Sequence, residues 1–127
     1  MSARILHVED NPSNRMIVRD LLEFQGYQVV DVVDGEAALA ATERERPDLI
    51  LMDIQLPRIS GLEASRRIKA REDLRRIPIV AVTSFALSGD DQLANAAGCD
   101  AYIAKPYRPR DLLLVIQKLL STDGAAK

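Results

Sequence analysis

A chain of 127 residues, of which 47% are hydrophobic and 28% charged, has the size and composition of one soluble globular domain. A net charge of −2 argues against a general nucleic-acid or membrane-surface binder, and no apolar stretch approaches the length of a membrane span. The single cysteine, Cys99, excludes an internal disulfide and a clustered-thiol metal site, and it favours a reducing, cytoplasmic compartment.

Five short apolar runs alternate with amphipathic segments along the chain. Their length and their content of β-branched residues favour strands, and three of them are apolar almost throughout, as in a parallel sheet covered on both faces. In chain order, the predicted strands are residues 4–8, 28–33, 49–52, 77–82 and 101–104.

The segments between these runs have helical patterns. The first carries an apolar stripe of Ile17, Leu21 and Phe24 and stops at Gly26, a residue type that commonly ends helices. The last begins near Pro109, since proline is favoured at the first helical position. The helices between them are predicted at residues 36–46, at 62–71 and between 89 and 98, and the last helix ends by residue 121.

The alternation of strands and helices predicts an α/β protein with a doubly wound parallel sheet, right-handed crossovers and helices on both faces. There is no internal repeat and no linker, so we expect a single domain, residues 1–127. Its ordered core is predicted at about residues 3–121, with a frayed tail at 122–127.

Ionisable and hydroxyl side chains follow four of the predicted strands. The third strand is apolar, yet Asp53 follows it directly. Burial of a carboxylate is energetically costly unless the group is paired or binds a ligand. Ligands of a doubly wound sheet collect at the carboxyl ends of its strands. The residues expected at this edge are Glu9, Asp10, Asp53, Thr83, Ser84 and Lys105.

This set of groups predicts a site for phosphoryl transfer. Carboxylates without His or Cys suit a hard cation with water ligands, which favours Mg²⁺. Asp53 is the expected nucleophile, while the cation and Lys105 neutralise charge on the phosphoryl oxygens. The hydroxyl of Thr83 can follow the new phosphoryl group, and Ser84 adds a second donor.

Four motifs, in order, resemble those of the receiver domain of bacterial two-component response regulators. They are VEDN at residues 8–11, LILMDIQLPRISG around Asp53, VTS at 82–84 and YIAKP at 102–106. The resemblance spans residues 4 to about 120, and it implies a flavodoxin-like, CheY-like (βα)5 fold with strand order 2-1-3-4-5. Since no output domain follows, we expect a stand-alone receiver. The segment FALSGDDQ at residues 85–92 is similar to the corresponding segment of a stand-alone cell-division regulator and of hybrid-kinase receivers.

The resemblance implies a role for each matching residue. Asp53 is the phosphoacceptor, Thr83 the switch hydroxyl, Lys105 the active-site lysine and Tyr102 the aromatic ring that moves on activation. Mg²⁺ would be held by Glu9, Asp10, Asp53 and the backbone carbonyl of Gln55, with Ser84 and Lys105 on the phosphate. The Lys105–Pro106 bond is expected to be cis, and Glu9 and Phe85 depart from the commonest pattern in ways that bear on the lifetime of the phosphate.

The implied function is signalling by a phosphorylation-dependent binding surface. The phosphoryl donor would be a histidine kinase or a histidine phosphotransfer protein, and a downstream protein would read the surface formed by the fourth helix, fifth strand and fifth helix. No direct nucleic-acid or membrane contact is expected, and the chain is expected to be a monomer or weak dimer. It would catalyse only its own phosphorylation and dephosphorylation. The fourth helix has Leu93 as its only large aliphatic anchor, which predicts a mobile switch element.

Two alternatives from other classes remain. An aspartate-nucleophile phosphatase also uses a strand-end aspartate, Mg²⁺ and a lysine, but it needs a second carboxylate as acid and base where this chain has Gln55. A degenerate receiver that binds partners without phosphorylation is disfavoured by the complete set of acidic, hydroxyl and lysine groups.

Several conspicuous residues also have ordinary interpretations. His7 lies within the first strand and is expected to be a buried, hydrogen-bonded histidine, and Cys99 an inert thiol. The basic run SRRIKAREDLRR is expected to be a solvated helix and turn, because Glu72 and Asp73 interrupt it. Leu114 falls on the polar side of the last helix, as either a chance exposed leucine or an anchor for a partner.

Overall fold

A computed structural model of the chain describes residues 3–54, 56, 59–83, 90–105 and 107–125, without the side chains of residues 90, 91, 93 and 122–125. Five strands and five helices alternate in this part of the chain. In order they are β1 (Arg4–Val8), α1 (Pro12–Phe24), β2 (Gln28–Val32), α2 (Gly35–Glu45), β3 (Leu49–Asp53), α3 (Gly61–Ala70), β4 (Ile79–Thr83), α4 (Asp90–Ala96), β5 (Ala101–Ala104) and α5 (Pro109–Ala125).

The strands form one parallel sheet in the order β2-β1-β3-β4-β5, which confirms the predicted fold. Strand order reverses between β1 and β3, because the chain first builds outward from β1 to β2 and then returns to the other side. Such a reversal leaves a crevice at the carboxyl ends of the two central strands. The ends of β1 and β3 are therefore neighbours at this edge.

Two apolar cores cover the two faces of the sheet. Alternate residues of β3 enter opposite cores, which explains why the whole strand is buried. The first core includes Ile50 and Met52 with residues from α2, α3 and α4, and the second includes Leu49 and Leu51 with residues from α1 and α5. No helix in the described part of the chain combines the length and the apolar character needed to cross a bilayer.

The first helix buries a different stripe from the predicted one. Val18 and Leu22 face the core, whereas Ile17 is 65% exposed and Phe24 is 87% exposed. Only Leu21 of the predicted stripe packs against the core, as a half-buried residue. Apolar residues occur at enough positions of α1 to give two stripes with helical spacing, and only the packing against the sheet decides between them.

Most other element boundaries differ from the predicted ones by one or two residues. β4 begins at Ile79 and not Ile77, because Pro78 has no N–H to donate and only its carbonyl joins the sheet, by accepting the Ile50 N–H at 2.9 Å. α2 ends at Glu45, since Arg46 turns into the left-handed conformation with φ of 47°.

The structures of α5 and α4 test two further predictions. α5 continues to Ala125, past the predicted end at residue 121, because Thr122 and Asp123 each reduce helix stability by only about 0.5 kcal/mol and Gly124, which costs about 1 kcal/mol, is next to the last residue. Fraying of residues 122–127 stays a prediction. In α4 the described buried residue is Ala94, which makes a smaller contact than a large aliphatic side chain would, and the side chain of Leu93 lies outside the described residues.

Candidate functional site

Three carboxylates meet at the crevice between β1 and β3. Val8 pairs with Met52 in the sheet, so the residues that follow them leave the two strands side by side. Ligand oxygens of Glu9, Asp10 and Asp53 all lie within 4.8 Å of one another. Glu9 and Asp53 are 3% and 6% exposed, whereas Asp10 is open to solvent. The structure thus brings together the three side chains that were predicted to meet.

Lys105 approaches this cluster from the end of β5. Its Nζ donates to Glu9 Oε1 at 2.9 Å and lies 3.9 Å from Asp53 Oδ2. From the sequence, Lys105 could pair with Asp53 or with an incoming phosphate; the structure shows its shorter contact to Glu9, whose longer side chain extends toward the ammonium. The Lys105 ammonium thus lies against a cluster of three carboxylates.

The pKa of Glu9 reflects these contacts. Burial acts to raise the pKa of its carboxyl, but the hydrogen bonds from Lys105 Nζ and from the Asn11 N–H outweigh burial and lower it. Glu9 therefore stays ionised and is available as an anionic ligand at neutral pH.

Thr83 ends β4 next to the cluster. Asp53 pairs with Val82 in the sheet, and the Thr83 carbonyl accepts the Lys105 N–H at 2.6 Å. Thr83 is fully buried. Tyr102 is opposite Ala81 in β5, and alternation along the strands puts its side chain on the same face of the sheet as that of Thr83. The predicted switch pair therefore shares one face, although the two residues lie on different strands.

The turn after β3 is closed by a glycine. A Cβ atom on Gly61 would overlap the carbonyl oxygen of Asp53 and lie 2.7 Å from the Ile54 Cα. The Gly61 N–H donates to the Ile54 carbonyl at 3.2 Å, and the Ser60 side chain caps α3 by accepting the Glu63 N–H at 3.1 Å. Glycine at this position thus lets the start of α3 lie directly against the backbone of the candidate nucleophile.

An apolar groove of about 470 Å³ lies beside the cluster, between α1 and the segment that joins β5 to α5. Glu9 and Lys105 form its polar end, and its apolar walls include Ile17, Leu21 and Tyr107. Burial, and then the nearby carboxylates of Glu9 and Asp53, raise the pKa of the Tyr107 hydroxyl. This groove was not predicted from the sequence, because Ile17 was expected in the core. The position of Tyr107, two residues after Lys105, was the available signal.

Some predicted site residues lie outside the described part of the chain. These are Gln55, Ser84, Phe85 and Pro106, so the carbonyl ligand, the second hydroxyl and the cis bond stay predictions. Leu114 is 56% exposed, which agrees with its predicted place on the polar side of α5.

The ordinary interpretations of the remaining conspicuous residues are confirmed. His7 is buried, with Nδ1 3.2 Å from Asp31 Oδ1, and burial raises the pKa of the Cys99 thiol, which keeps it protonated. In the basic run, Arg66 and Arg67 both pair with Glu63 at the surface.

Comparison with known proteins agrees with the geometry. Residues 5–117 match the family described as response regulator receiver domain. The polar-differentiation response regulator DivK of Brucella anthropi is 47% identical over 106 residues, which are 84% of this chain and 86% of that protein.

Solved structures show the same likeness. The receiver domain of a sensor histidine kinase from Pseudomonas aeruginosa superposes with a TM-score of 0.89 and 41% identity, over 95% of this chain and 99% of that one; a magnesium ion is coordinated in its active-site cleft. A CheY-like receiver domain protein from Methanospirillum hungatei gives a TM-score of 0.92 with 32% identity, over 100% of both chains.

Proposed function

The chain belongs to the response regulator receiver domain family, and on that premise we propose that Asp53 accepts a phosphoryl group in a reaction that depends on Mg²⁺. Family membership makes it a phosphoacceptor and not a conventional enzyme, and it implies a histidine kinase as partner. The observation that supports the residue assignment is the meeting of Glu9, Asp10, Asp53 and Lys105 at one crevice.

The chemistry follows from the position of each group. A carboxylate oxygen of Asp53 attacks the phosphorus, the P–N bond to the donor histidine breaks, and the imidazole leaves with the electron pair and takes up a proton. Lys105 lies within reach of the new phosphoryl oxygens and offsets their charge. Bound to Glu9, Asp10, Asp53 and the Gln55 carbonyl, Mg²⁺ would supply Lewis-acid stabilisation of the same charge.

The phosphorylated state would then be reported by Thr83 and Tyr102. The Thr83 hydroxyl turns toward the phosphoryl group, with Ser84 as a second donor, and Tyr102 occupies the space that Thr83 leaves on the same face of the sheet. The described anchor of α4 is an alanine, so this helix is the element whose position would change at small energetic cost.

The groove beside the site offers a place for the phosphoryl donor to dock. Ile17 lines the groove and is 65% exposed, and Phe24, seven residues further along α1 on the same side of the helix, is also exposed. A histidine kinase or histidine phosphotransfer protein must bring its histidine to Asp53, and an apolar surface next to the crevice would hold it there. Leu114, on the exposed face of α5, is proposed as an anchor for the downstream protein.

Other finer assignments complete the proposal. We place the protein in the cytoplasm, where its kinase partner would meet it and where the lone Cys99 would remain reduced. It would act as a monomer or weak dimer, without direct contact to nucleic acid.

Labelling with acetyl phosphate tests the proposal. The intact mass is expected to increase by one phosphoryl group in the presence of Mg²⁺, and not with EDTA or in the Asp53→Asn variant. A folded chain whose mass stays unchanged under all these conditions would refute it. Rapid and repeated release of phosphate from simple phosphate esters would instead favour the phosphatase alternative.

A further inference from the structure

Glu9 and Asp10, two neighbouring carboxylates of the acidic cluster, differ in the hydrogen bonds that they accept. The Glu9 carboxylate accepts hydrogen bonds from Lys105 Nζ at 2.9 Å and from the Asn11 N–H at 3.2 Å. The Asp10 carboxylate is exposed, and within the described residues no hydrogen bond to it is present. The direction of the Asp10 side chain therefore depends on how its own backbone is held.

One side chain holds that backbone. Arg15, in the first turns of α1, is half-buried, and its Nη1 donates to the Glu9 carbonyl at 3.2 Å and to the Asp10 carbonyl at 3.3 Å. Its own N–H donates to the Asn11 carbonyl at 2.9 Å. A single residue thus contacts three successive carbonyls of the turn between β1 and α1.

We propose that Arg15 is a positioning residue that sets the geometry of the acidic cluster by fixing the peptide planes on both sides of Asp10. The proposal rests on the function proposed above, since it concerns the cation that these carboxylates would hold. Outer groups that orient metal ligands commonly change metal affinity by about 10- to 100-fold. The Asp10 carboxylate has no hydrogen bond of its own within the described residues, so its position depends on the contacts that Arg15 makes with the backbone, which form a brace for the turn. We therefore expect loss of these contacts to displace the Asp10 carboxylate more than that of Glu9.

The charge of Arg15 and its contacts with the turn predict opposite changes in Mg²⁺ affinity when Arg15 is replaced. The guanidinium is a positive charge beside three carboxylates, so its removal alone would strengthen the binding of a divalent cation. Loss of the brace would weaken binding, because the ligand atoms would have to be ordered when the cation enters. The direction of the change therefore separates the two roles.

Arg19 offers a matched control one turn further along α1. It also carries a guanidinium and pairs with Asp31 at 2.7 Å and with Glu23 at 3.4 Å, and it makes no hydrogen bond to the β1–α1 turn. Arg15→Gln and Arg19→Gln each remove one positive charge from the same helix. Only the first removes the brace.

The experiment is a Mg²⁺ titration of the full chain followed by amide chemical shifts of residues 9–11, with thermal melts to establish folding. We expect Arg15→Gln to raise the Mg²⁺ dissociation constant about 10-fold. Arg19→Gln should change it by less than about twofold, because a screened surface charge has little effect. Arg15→Lys retains the charge and a donor, and an intermediate constant is expected for it.

Two further measurements complete the test. In the metal-free protein, the Asn11 amide should exchange with solvent faster in Arg15→Gln than in the wild type and in Arg19→Gln. In an Asp10→Asn background, Arg15→Gln should have little additional effect on Mg²⁺ affinity, because the two residues act in series.

Tighter Mg²⁺ binding by Arg15→Gln, or unchanged binding and unchanged Asn11 exchange, would overturn the proposal. A wild-type chain that binds no Mg²⁺ would instead refute the proposed function, and the exchange of Asn11 in metal-free protein would still decide whether Arg15 holds the turn.

Discussion

The lysines at the two ends of the sheet, Lys69 and Lys105, differ in the balance of charge around them. At the amino-terminal end, Lys69 Nζ donates to Asp100 Oδ2 at 2.8 Å and to the carbonyls of Arg75 and Ile77 at 3.0 and 2.8 Å. The same Asp100 oxygen accepts the Ile79 N–H at 2.8 Å. At the carboxyl-terminal end, Lys105 faces three carboxylates.

The difference indicates what each end is for. The Lys69 ammonium and the Asp100 carboxylate are paired with each other and with backbone groups. These contacts join the end of α3 to the starts of β4 and β5, which serves stability. Around Lys105 the negative charges exceed the positive ones, so the site is less stable than it could be, and it can accept a cation and a phosphoryl group. Substitution of Lys105 should therefore slow phosphorylation, whereas substitution of Lys69 should lower the stability of the fold.

Lys105→Met is expected to have the largest effect on the chemistry. It removes the cation that faces the incoming phosphoryl group, and loss of one such preorganised group costs about 100-fold in rate. The measurement is the rate of phosphorylation by acetyl phosphate at saturating Mg²⁺, with Lys69→Met as the matched control. A rate within a few-fold of the wild-type rate would remove the distinction between the two ends.

Lys69→Met is expected to lower the free energy of unfolding by about 1 kcal/mol, because the carbonyls of Arg75 and Ile77 and the partly exposed Asp100 carboxylate lose one hydrogen-bond donor. Its phosphorylation rate should remain close to that of the wild type. Urea denaturation measures the first quantity, with Lys105→Met as the comparison. A stable Lys69→Met variant with slow phosphorylation would show that the amino-terminal end also serves the site.

Mg²⁺ should stabilise the carboxyl-terminal end specifically. At ten times its dissociation constant, a cation that binds only the folded chain adds about 1.4 kcal/mol to the free energy of unfolding. Asp53→Asn should gain less from Mg²⁺, and without metal it should be slightly more stable than the wild type, since repulsion in the cluster is relieved. Thermal melts with and without EDTA measure both effects. Equal stabilisation of both proteins would place the cation elsewhere.

Asp31 lies between the two ends and gives a pH-dependent effect. Burial acts to raise the pKa of its carboxyl, but the hydrogen bonds from His7 and Arg19 outweigh burial and lower it. A carboxylate with a lowered folded-state pKa adds stability above its unfolded pKa, about 3.9, and this stability is lost as the pH falls through the folded value. The free energy of unfolding of the wild type should therefore exceed that of Asp31→Asn by about 1 kcal/mol at neutral pH, and the difference should shrink as the pH falls below the unfolded pKa of Asp. A difference independent of pH would show that the charge of Asp31 is not involved.

The strands and the acidic cluster were predictable from the sequence for a shared reason. Apolar runs mark strands locally, and parallel strands bring the residues that follow them, such as Glu9 and Asp53, to one edge without further information.

The features that were not predicted depend on packing and on turn geometry. The sequence of α1 permits two apolar stripes, and the contact with the sheet selects Val18 and Leu22 and leaves Ile17 for the groove. The brace from Arg15 depends on the direction of two carbonyls in a turn, which no residue pattern specifies. The preference of Lys105 for Glu9 over Asp53 depends on side-chain length and on the position of the β5 end.

The most direct test of the account is the identity of the modified residue. After phosphorylation by acetyl phosphate with Mg²⁺, borohydride reduction of the acyl phosphate and peptide mass spectrometry locate the group. We predict that it is on Asp53 alone. A reduced side chain at Glu9 or Asp10, with Asp53 unmodified, would contradict the account.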